Sequence, residues 1–402
     1  MLVVQKFGGT SVGDLDRIQN VAEIVKKYAD EGHQVVVVVS AMAGETNKLL
    51  DFAHHFSKTP PQREVDLLVS SGERVTSALL SIALQAMGKE AIALTGRQAG
   101  IKTTSDHTKA RISDIDPKKM EKYLNEGKIV IIAGFQGINE NGDVTTLGRG
   151  GSDLTAVAIA GALKADKCEI YTDVDGIYTT DPRIEPKAKK IDVISYDEML
   201  ELASLGAKVM QSRSVELAKK LGVDIEVKSS FKPEIKGTLI TKESKDMEKV
   251  LVSGIALDKN QARVSIFGVD DKPGISAEIF GKLADKNINV DMIVQNVGKD
   301  NKANLTFTVP QTELELTKEV LKEYDEKSQS MEFDDSIAKV SVVGVGMKSH
   351  SGVAATAFKT LADENINILM ISTSEIKISM VIDEKYGELA VRALHKAYNL
   401  DK

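Results

Sequence analysis

At 402 residues the chain is too long for a single hydrophobic core, which sets an expectation of two or three domains, and its 42% apolar and 28% charged residues suit an ordinary α/β protein. A net charge of -7 argues against a broad nucleic-acid footprint, the single cysteine (Cys168) excludes an intramolecular disulfide, and six scattered histidines show no zinc-like spacing, so no metal site is expected. The longest apolar run, VVVVVSAMAG at 35–44, is too short to span a bilayer and no targeting segment is apparent, so the expectation is a cytoplasmic protein with no membrane and no nucleic-acid partner.

The first element, LVVQKF (2–7), reads as a buried strand that ends in Lys6 and Phe7 and turns through Gly8, Gly9, Thr10 and Ser11. Such a turn gathers unhindered N–H groups, hydroxyls and a cation at one spot, which suits phosphate. The competing reading is a tight strand-to-helix turn with Thr10 or Ser11 as the helix cap and a surface lysine. Ile18, Val21, Ala22 and Val25 then fall on one helix face. QVVVVVSA, KEAIAL, KIVIIAGF and CEIYTDV continue as further strands with few polar interruptions, the pattern of a parallel sheet buried between helical layers. Ligands on such sheets gather at the carboxyl ends of the strands.

Three polar clusters punctuate these strands. LVSSGERVTS (68–77) puts Glu73 at a helix start, where the macrodipole alone would favour an acid. TTLGRGGSDLTAV (145–157) sets Arg149, Gly150, Gly151, Ser152 and Asp153 at the start of a helix that reads as amphipathic through Leu154, Val157, Ala158 and Leu163. A cap by Ser152 explains one of those residues but not the guanidinium or the glycines. YTDVDGIYTTDPR (171–183) packs three aspartates, two tyrosines and an arginine after a strand, with a surface hairpin as the alternative. No Walker A pattern and no G-x-G-x-x-G occurs, and protein-kinase signatures are missing.

From 229 to 250 the text turns polar and lysine-rich, marking a linker between a domain at 1–228 and a C-terminal region of different character. In that region GISAEIFGKLADKNINVDMI (274–293) and GVAATAFKTLADENINILMI (352–371) share eleven of twenty positions at an offset of 78. Each copy reads as strand, glycine turn, helix and Asn-Ile strand, with Ala277, Phe280, Leu283 and Ala284 along one helix face. Units at 251–330 and 331–402 result, and the terminal GELAVRALHKAYNL is a candidate to complete the first after insertion of the second.

Taken together, KFGGTSV, SSGE, GRGGSD, YTDVDGIYTTDPR and the doubled C-terminal repeat resemble the aspartokinase family, in its short monofunctional bacterial form, over nearly the whole chain. The resemblance implies an amino-acid-kinase fold, a three-layer α/β/α sandwich with a mainly parallel sheet, followed by a paired α+β module like ACT domains. It implies transfer of the γ-phosphate of ATP, with Mg²⁺ carried by the nucleotide, to the side-chain carboxylate of L-aspartate. That carboxylate has a pKa near ~4, so it needs no general base and catalysis reduces to positioning and charge neutralisation.

By similarity, Lys6 neutralises the transferring phosphoryl group and Asp153 orients it, Arg149 clamps the α-carboxylate, Glu73 accepts from the α-ammonium, and Thr46 with Gly150, Gly151 and Ser152 completes the aspartate pocket. The ATP set carried over is Lys6, Phe7, Gly8, Gly9, Ser40, Thr172, Asp173, Tyr178, Asp181, Arg183 and Lys208. Effector contacts, for lysine, threonine or both, fall on Gly274, Ser276, Gln295, Asn367 and Ile368, with Ser349, Ser374 and Glu375 near a second ligand. The Asn-Ile-Asn triplets are also explained by turn chemistry entering a strand. Association through the repeats predicts a homodimer, and an internal start at Met247 would yield a regulatory-only subunit and an α2β2 assembly. Another acyl-phosphate-forming amino-acid kinase and a catalytically decayed amino-acid sensor are the other readings weighed; the joint presence of Lys6, Glu73, Arg149 and Asp153 argues against decay.

Overall fold

The structure, a computed structural model, describes residues 1–204, 209–242, 252–297, 301–324, 328–345, 347 and 352–402. Two compact units divide the chain: Met1–Ile177, Lys190–Ser204 and Lys208–Lys245 form the first, and Tyr178–Lys189, Leu205–Ala207 and Asp246–Lys402 the second.

The strands of the first unit are β1 (Leu2–Phe7), β2 (Gln34–Val39), β3 (Ala91–Leu94), β4 (Ile101–Thr103), β5 (Ile112–Ile115), β6 (Ile129–Ala133), β7 (Gln136–Ile138), β8 (Val144–Thr146), β9 (Lys167–Thr172), β10 (Val193–Ser195), β11 (Ile225–Ser229) and β12 (Thr238–Thr241). Its helices are α1 (Leu15–Asp30), α2 (Glu45–Phe56), α3 (Gln62–Val69), α4 (Ser71–Ala86), α5 (Lys118–Asn125), α6 (Gly151–Leu163), α7 (Tyr196–Ser204) and α8 (Ser212–Leu221). Eight strands make one sheet in the order β10-β12-β11-β9-β1-β2-β6-β3, parallel apart from the β11–β12 pair. The valine run of β2 is buried on both faces because helices cover both. Phe7, Val35, Val37, Val39, Ile131 and Tyr171 pack with Ile18, Val21 and Val25 of α1 and Leu80 and Leu84 of α4. Side chains alternate across a strand, so Lys6 points to the other face, that of α6.

Helix α6 departs from the amphipathic reading, since every residue from Gly151 to Ala160 is buried. It lies against β1, β2 and β9 and under α8, which leaves it no solvated face. A second, four-stranded sheet, β5-β4-β7-β8, escapes sequence reading, because strands of three or four residues carry too few positions to reveal a period. Residues 238–241, assigned to the linker on sequence, form β12 between β10 and β11. Gln62–Ala86 is long and apolar enough to cross a bilayer by composition, yet half of it is buried inside the protein.

The second unit holds β13 (Gly254–Asp270), β14 (Ile293–Val297), β15 (Lys302–Pro310), β16 (Ser330–Val343), β17 (Met370–Thr373) and β18 (Lys377–Asp383), with helices α9 (Ile275–Asp285), α10 (Leu314–Leu321), α11 (Val353–Asp363) and α12 (Gly387–Ala397). Its strands form one antiparallel sheet in the order β14-β15-β13-β16-β18-β17. The repeat is close in its turns: Gly274 and Gly352 cap α9 and α11 at φ 98° and 111°, and Asn287 and Asn365 both stand at φ 56°. Those two asparagines therefore serve the turn, and the Ile288 and Ile366 next to them are buried.

One long strand serves two cores. Ala262–Val269 of β13 packs with α9, β15 and α10, whereas Ile255 packs with Val340, Val342, α11 and α12. The expected completion of the first repeat by GELAVRALHKAYNL is thus reversed, since Val391 and Leu394 of α12 join the second repeat's core and the first repeat is inserted into the second. Register shifts of β13 on β16 between Asp258 and Arg263 let one strand face two cores. The segment Tyr178–Lys189 is anchored in this unit, with Ile184 against the second core and Thr179 Oγ1 2.9 Å from His395 Nε2.

Candidate active site

The tip of β1 carries the first part of the site. Lys6 is nearly buried, and its Nζ lies 2.6 Å from Asp153 Oδ1 at the start of α6. Phe7 stacks on Tyr171 at 4.6 Å, and the Gly8 amide donates to the Tyr171 carbonyl at 3.2 Å. A methyl group on Gly8 would stand 3.3 Å from Lys6 Nζ, and one on Gly9 3.1 Å from the Ala41 carbonyl, so a side chain at either position would crowd the turn, more so at Gly9, where the neighbour is backbone. The cap of α1 is Asp14, whose carboxylate accepts from Arg17 N at 2.8 Å. Neither Thr10 nor Ser11 does that work: Thr10 is exposed, and Ser11 donates its hydroxyl to Ser230 Oγ at 2.7 Å. Ser230, just past β11, is not visible as a site residue in the sequence because nothing local marks a contact 219 residues away.

The start of α6 supplies the second part. Gly150 caps the helix at φ 68°, and Gly151, Ser152 and Asp153 fill its buried first turn, so Ser152 is helical and not the cap. Arg149 is exposed beside them. The preceding turn is held from several sides: Leu147 N donates to Phe135 O at 2.9 Å, Arg213 Nη1 to Leu147 O at 2.8 Å, and Gly151 N to Gly148 O at 3.0 Å. Arg213 is a second residue that sequence reading missed, its role set by α8 and not by any motif of its own.

Glu73 forms the third part, in the first turn of α4. Oε1 accepts from Ala41 N at 3.1 Å, while Oε2 is buried with no hydrogen-bond partner. Burial pushes this carboxyl up to about 7, against the pull of its backbone hydrogen bonds. A buried, under-satisfied acid of this kind is what a ligand ammonium would complete. Thr46 is half-buried in α2, and Ser40 comes directly after β2 with its amide on Phe7 O at 3.1 Å.

Thr172 ends β9, and its hydroxyl donates to the exposed Asp173 at 3.1 Å. Tyr178, Asp181 and Arg183 belong to the second unit, where Asp181 and Arg183 pair with each other at 2.6 Å. Lys208, Ser349 and Met247 lie outside the described residues. A cavity in the second unit is lined by residues 271–277 and Gln295, so Gly274 and Ser276 meet Gln295, whose Oε1 accepts from Ser276 Oγ at 2.8 Å. Asn367 and Ile368 do not line it: they precede β17, at the opposite edge of the sheet from the β14 that bears Gln295. Ser374 and Glu375 form the β17–β18 turn, where Ser374 Oγ accepts from Lys377 N at 3.2 Å.

Comparison with known proteins finds two kinds of domain in the chain. A family described as the amino acid kinase family matches residues 1–229, and the ACT domain matches 263–326 and 340–398. Aspartokinase of Helicobacter pylori (strain ATCC 700392 / 26695) is 61% identical over 406 residues, covering 100% of both chains. Aspartate kinase of Pseudomonas putida (strain KT2440) is 55% identical over 403 residues, covering 100% of this chain and 98% of its own. Among solved structures, E. coli aspartokinase III in complex with aspartate and ADP (R-state) superposes with a TM-score of 0.83 at 29% identity over 99% of each chain. The same enzyme in complex with lysine and aspartate (T-state) gives 0.78 at 30% identity over 98% of this chain and 99% of its own.

Proposed function

The chain belongs to the aspartokinase branch of the amino acid kinase family and is an aspartate kinase, and on that premise we propose how its residues divide the work. A side-chain carboxylate oxygen of L-aspartate attacks the γ-phosphorus of ATP in line, the bond to the β–γ bridging oxygen breaks, and ADP leaves with those electrons to give 4-phospho-L-aspartate. Both partners are anions, so the rate depends on cations and N–H donors around the transferring group. Lys6 supplies the cation and the Gly9 amide a donor, while the Gly8 amide is held by the Tyr171 carbonyl and fixes the turn. Asp153 holds the ammonium in place and accepts no proton. Arg149 takes the α-carboxylate, Glu73 the α-ammonium, and Thr46, Gly150, Gly151 and Ser152 shape the pocket. Phe7, Ser40, Thr172, Asp173, Tyr178, Asp181, Arg183 and Lys208 are assigned to the nucleotide.

The donor set at the strand tips, a carboxylate already paired with lysine beside amides and hydroxyls, fits a magnesium ion that arrives on the nucleotide. When bound, that ion would neutralise phosphate charge.

The observation that carries this reading is the Lys6–Asp153 pair at 2.6 Å, which ties the β1 tip to the α6 entrance. Hydroxylamine trapping tests it: an acyl hydroxamate should form with L-aspartate and MgATP and not with N-acetylglutamate, and Lys6→Ala should abolish it. A near-normal rate in that variant would overturn the assignment.

Regulation belongs to the same proposal. Lysine or threonine binds at the cavity of Gly274, Ser276 and Gln295, with a second effector near Ser349, Ser374 and Glu375, and inhibits a cytoplasmic enzyme at the entry to lysine, threonine, methionine and diaminopimelate synthesis. Asn367 and Ile368 stay with the first effector only if another subunit brings them there, which accords with a homodimer built through the repeats. A shorter subunit starting near Met247, giving α2β2, would require a ribosome-binding site upstream of that codon.

A further inference from the structure

Asp66 is a fully buried carboxylate with no part in the phosphoryl transfer. It sits on α3, and its Oδ1 accepts from Thr146 Oγ1 at 2.5 Å, its Oδ2 from His107 Nδ1 at 2.7 Å, and both oxygens from Thr108 N at 3.1 and 3.0 Å. Facing a carboxylate, His107 Nδ1 must carry the proton. Three pieces of chain therefore meet on one side chain: α3, the turn at residues 104–111 and strand β8.

The turn has little reason to hold this shape alone. Thr108 stands at φ 65°, a left-handed conformation that β-branched residues rarely adopt. Asp66 stabilises it by taking the Thr108 amide and the neighbouring imidazole together. Ala110 N then donates to Thr146 O at 3.0 Å, and Arg213 bridges Ala110 O and Leu147 O at 3.3 and 2.8 Å. Thr108 O comes so close to Gly148 that a Cβ there would lie 3.2 Å away. The strained turn thus backs residues 146–148, and Arg149 is the next residue along the chain.

We propose that Asp66 and His107 are positioning residues for the phosphoryl acceptor, clamping the 104–111 turn against Thr146 so that Arg149 is presented in its substrate-binding geometry. The inference rests on the reading of Arg149 as the α-carboxylate ligand. Neither residue touches substrate, so their loss should act on aspartate binding and leave the nucleotide side alone. A displacement of about 1 Å at a positioning group is enough for a large kinetic effect.

The test is steady-state kinetics on the full-length enzyme, with thermal unfolding measured on the same samples. His107→Ala should raise KM for L-aspartate about tenfold or more with kcat changed less than about threefold and KM for ATP unchanged. His107→Asn, which places an amide donor near the former Nδ1, should restore most of the loss. If His107→Ala does not fold, Thr146→Val removes one hydroxyl from Asp66 at constant shape and should raise KM for aspartate in the same selective way. In an Arg149→Ala background the His107 change should add nothing. An unchanged KM for aspartate, an equal rise for ATP, or an undiminished effect without Arg149 overturns the inference. Normal aspartate binding in Arg149→Ala alone would instead overturn the Arg149 reading.

Discussion

Replacing Glu73 by glutamine keeps the shape of the pocket floor and removes its proton. Burial lifts this carboxyl from 4.5 to about 7, and that shift of some two and a half units corresponds to about 3 kcal/mol. The folded protein holds the proton more tightly than the unfolded chain does. The stabilisation is therefore fully present below about pH 4.5, is lost as pH rises to about 7, and stays lost above it. Glutamine does not titrate. Urea unfolding across that window should shift the stability difference by about 3 kcal/mol in favour of Glu73→Gln, with other titrations cancelling in the comparison. Substrate binding should obey the same group. Below pH 7 the α-ammonium has to displace a proton from Glu73, so KM for aspartate rises towards about tenfold per unit as pH falls. In the variant that dependence should vanish, and at alkaline pH KM should exceed the parent value roughly 10- to 100-fold, the loss of a charge-assisted hydrogen bond worth ~1.5–3 kcal/mol. Parallel pH profiles for the two proteins, in stability and in KM, would refute the reasoning.

The same geometry predicts other outcomes. Lys6→Ala should lower kcat by about 10³-fold or more, and because it strands a buried carboxylate it should cost up to ~3–5 kcal/mol; adding Asp153→Asn should recover the stability, read by thermal melting, and not the turnover. Gly150→Ala forces a Cβ into φ 68° and within 2.2 Å of Gln211 Oε1, so KM for aspartate should rise and the melting temperature fall. Ser276→Ala or Gln295→Ala should weaken effector inhibition about tenfold in a rate assay and leave uninhibited kcat unchanged. Light scattering should report a dimer at micromolar concentration, and Val297→Lys, on an exposed strand edge, should shift it towards monomer.

Charge made most of the candidate site legible. Glu73, Arg149 and Asp153 each stand beside glycine or serine and Lys6 two residues before Gly8, all at the junction of an apolar run and a helix, and the rule that ligands gather at strand tips brings such junctions together. The paired repeat was legible too, through its glycine and asparagine turns. The hidden part depends on partners far apart in the chain. Asp66 looks like a polar interruption in α3, and His107 like a loop histidine, until the fold brings them into contact beside Thr146 of β8. The small sheet, β12 and the burial of α6 escape for a related reason, since each is decided by neighbours and not by its own pattern. Gln5, Glu169 and Tyr171 are also buried polar groups in runs that read as apolar, and they meet behind the strand tips, where Glu169 accepts from Gln5 Nε2 at 2.9 Å and from the Tyr171 hydroxyl at 3.1 Å.

The seventeen residues of β13 run through both repeats, and β16 runs beside them from Gly254 to Phe267. Duplication has therefore produced a single plate with two ends and not two beads on a string. A ligand that tightens or twists one end must bend strands whose other halves wall the opposite core, so the two ends cannot settle on shapes independently. Cooperation between two bound amino acids, or its absence, would then measure the stiffness of two shared strands.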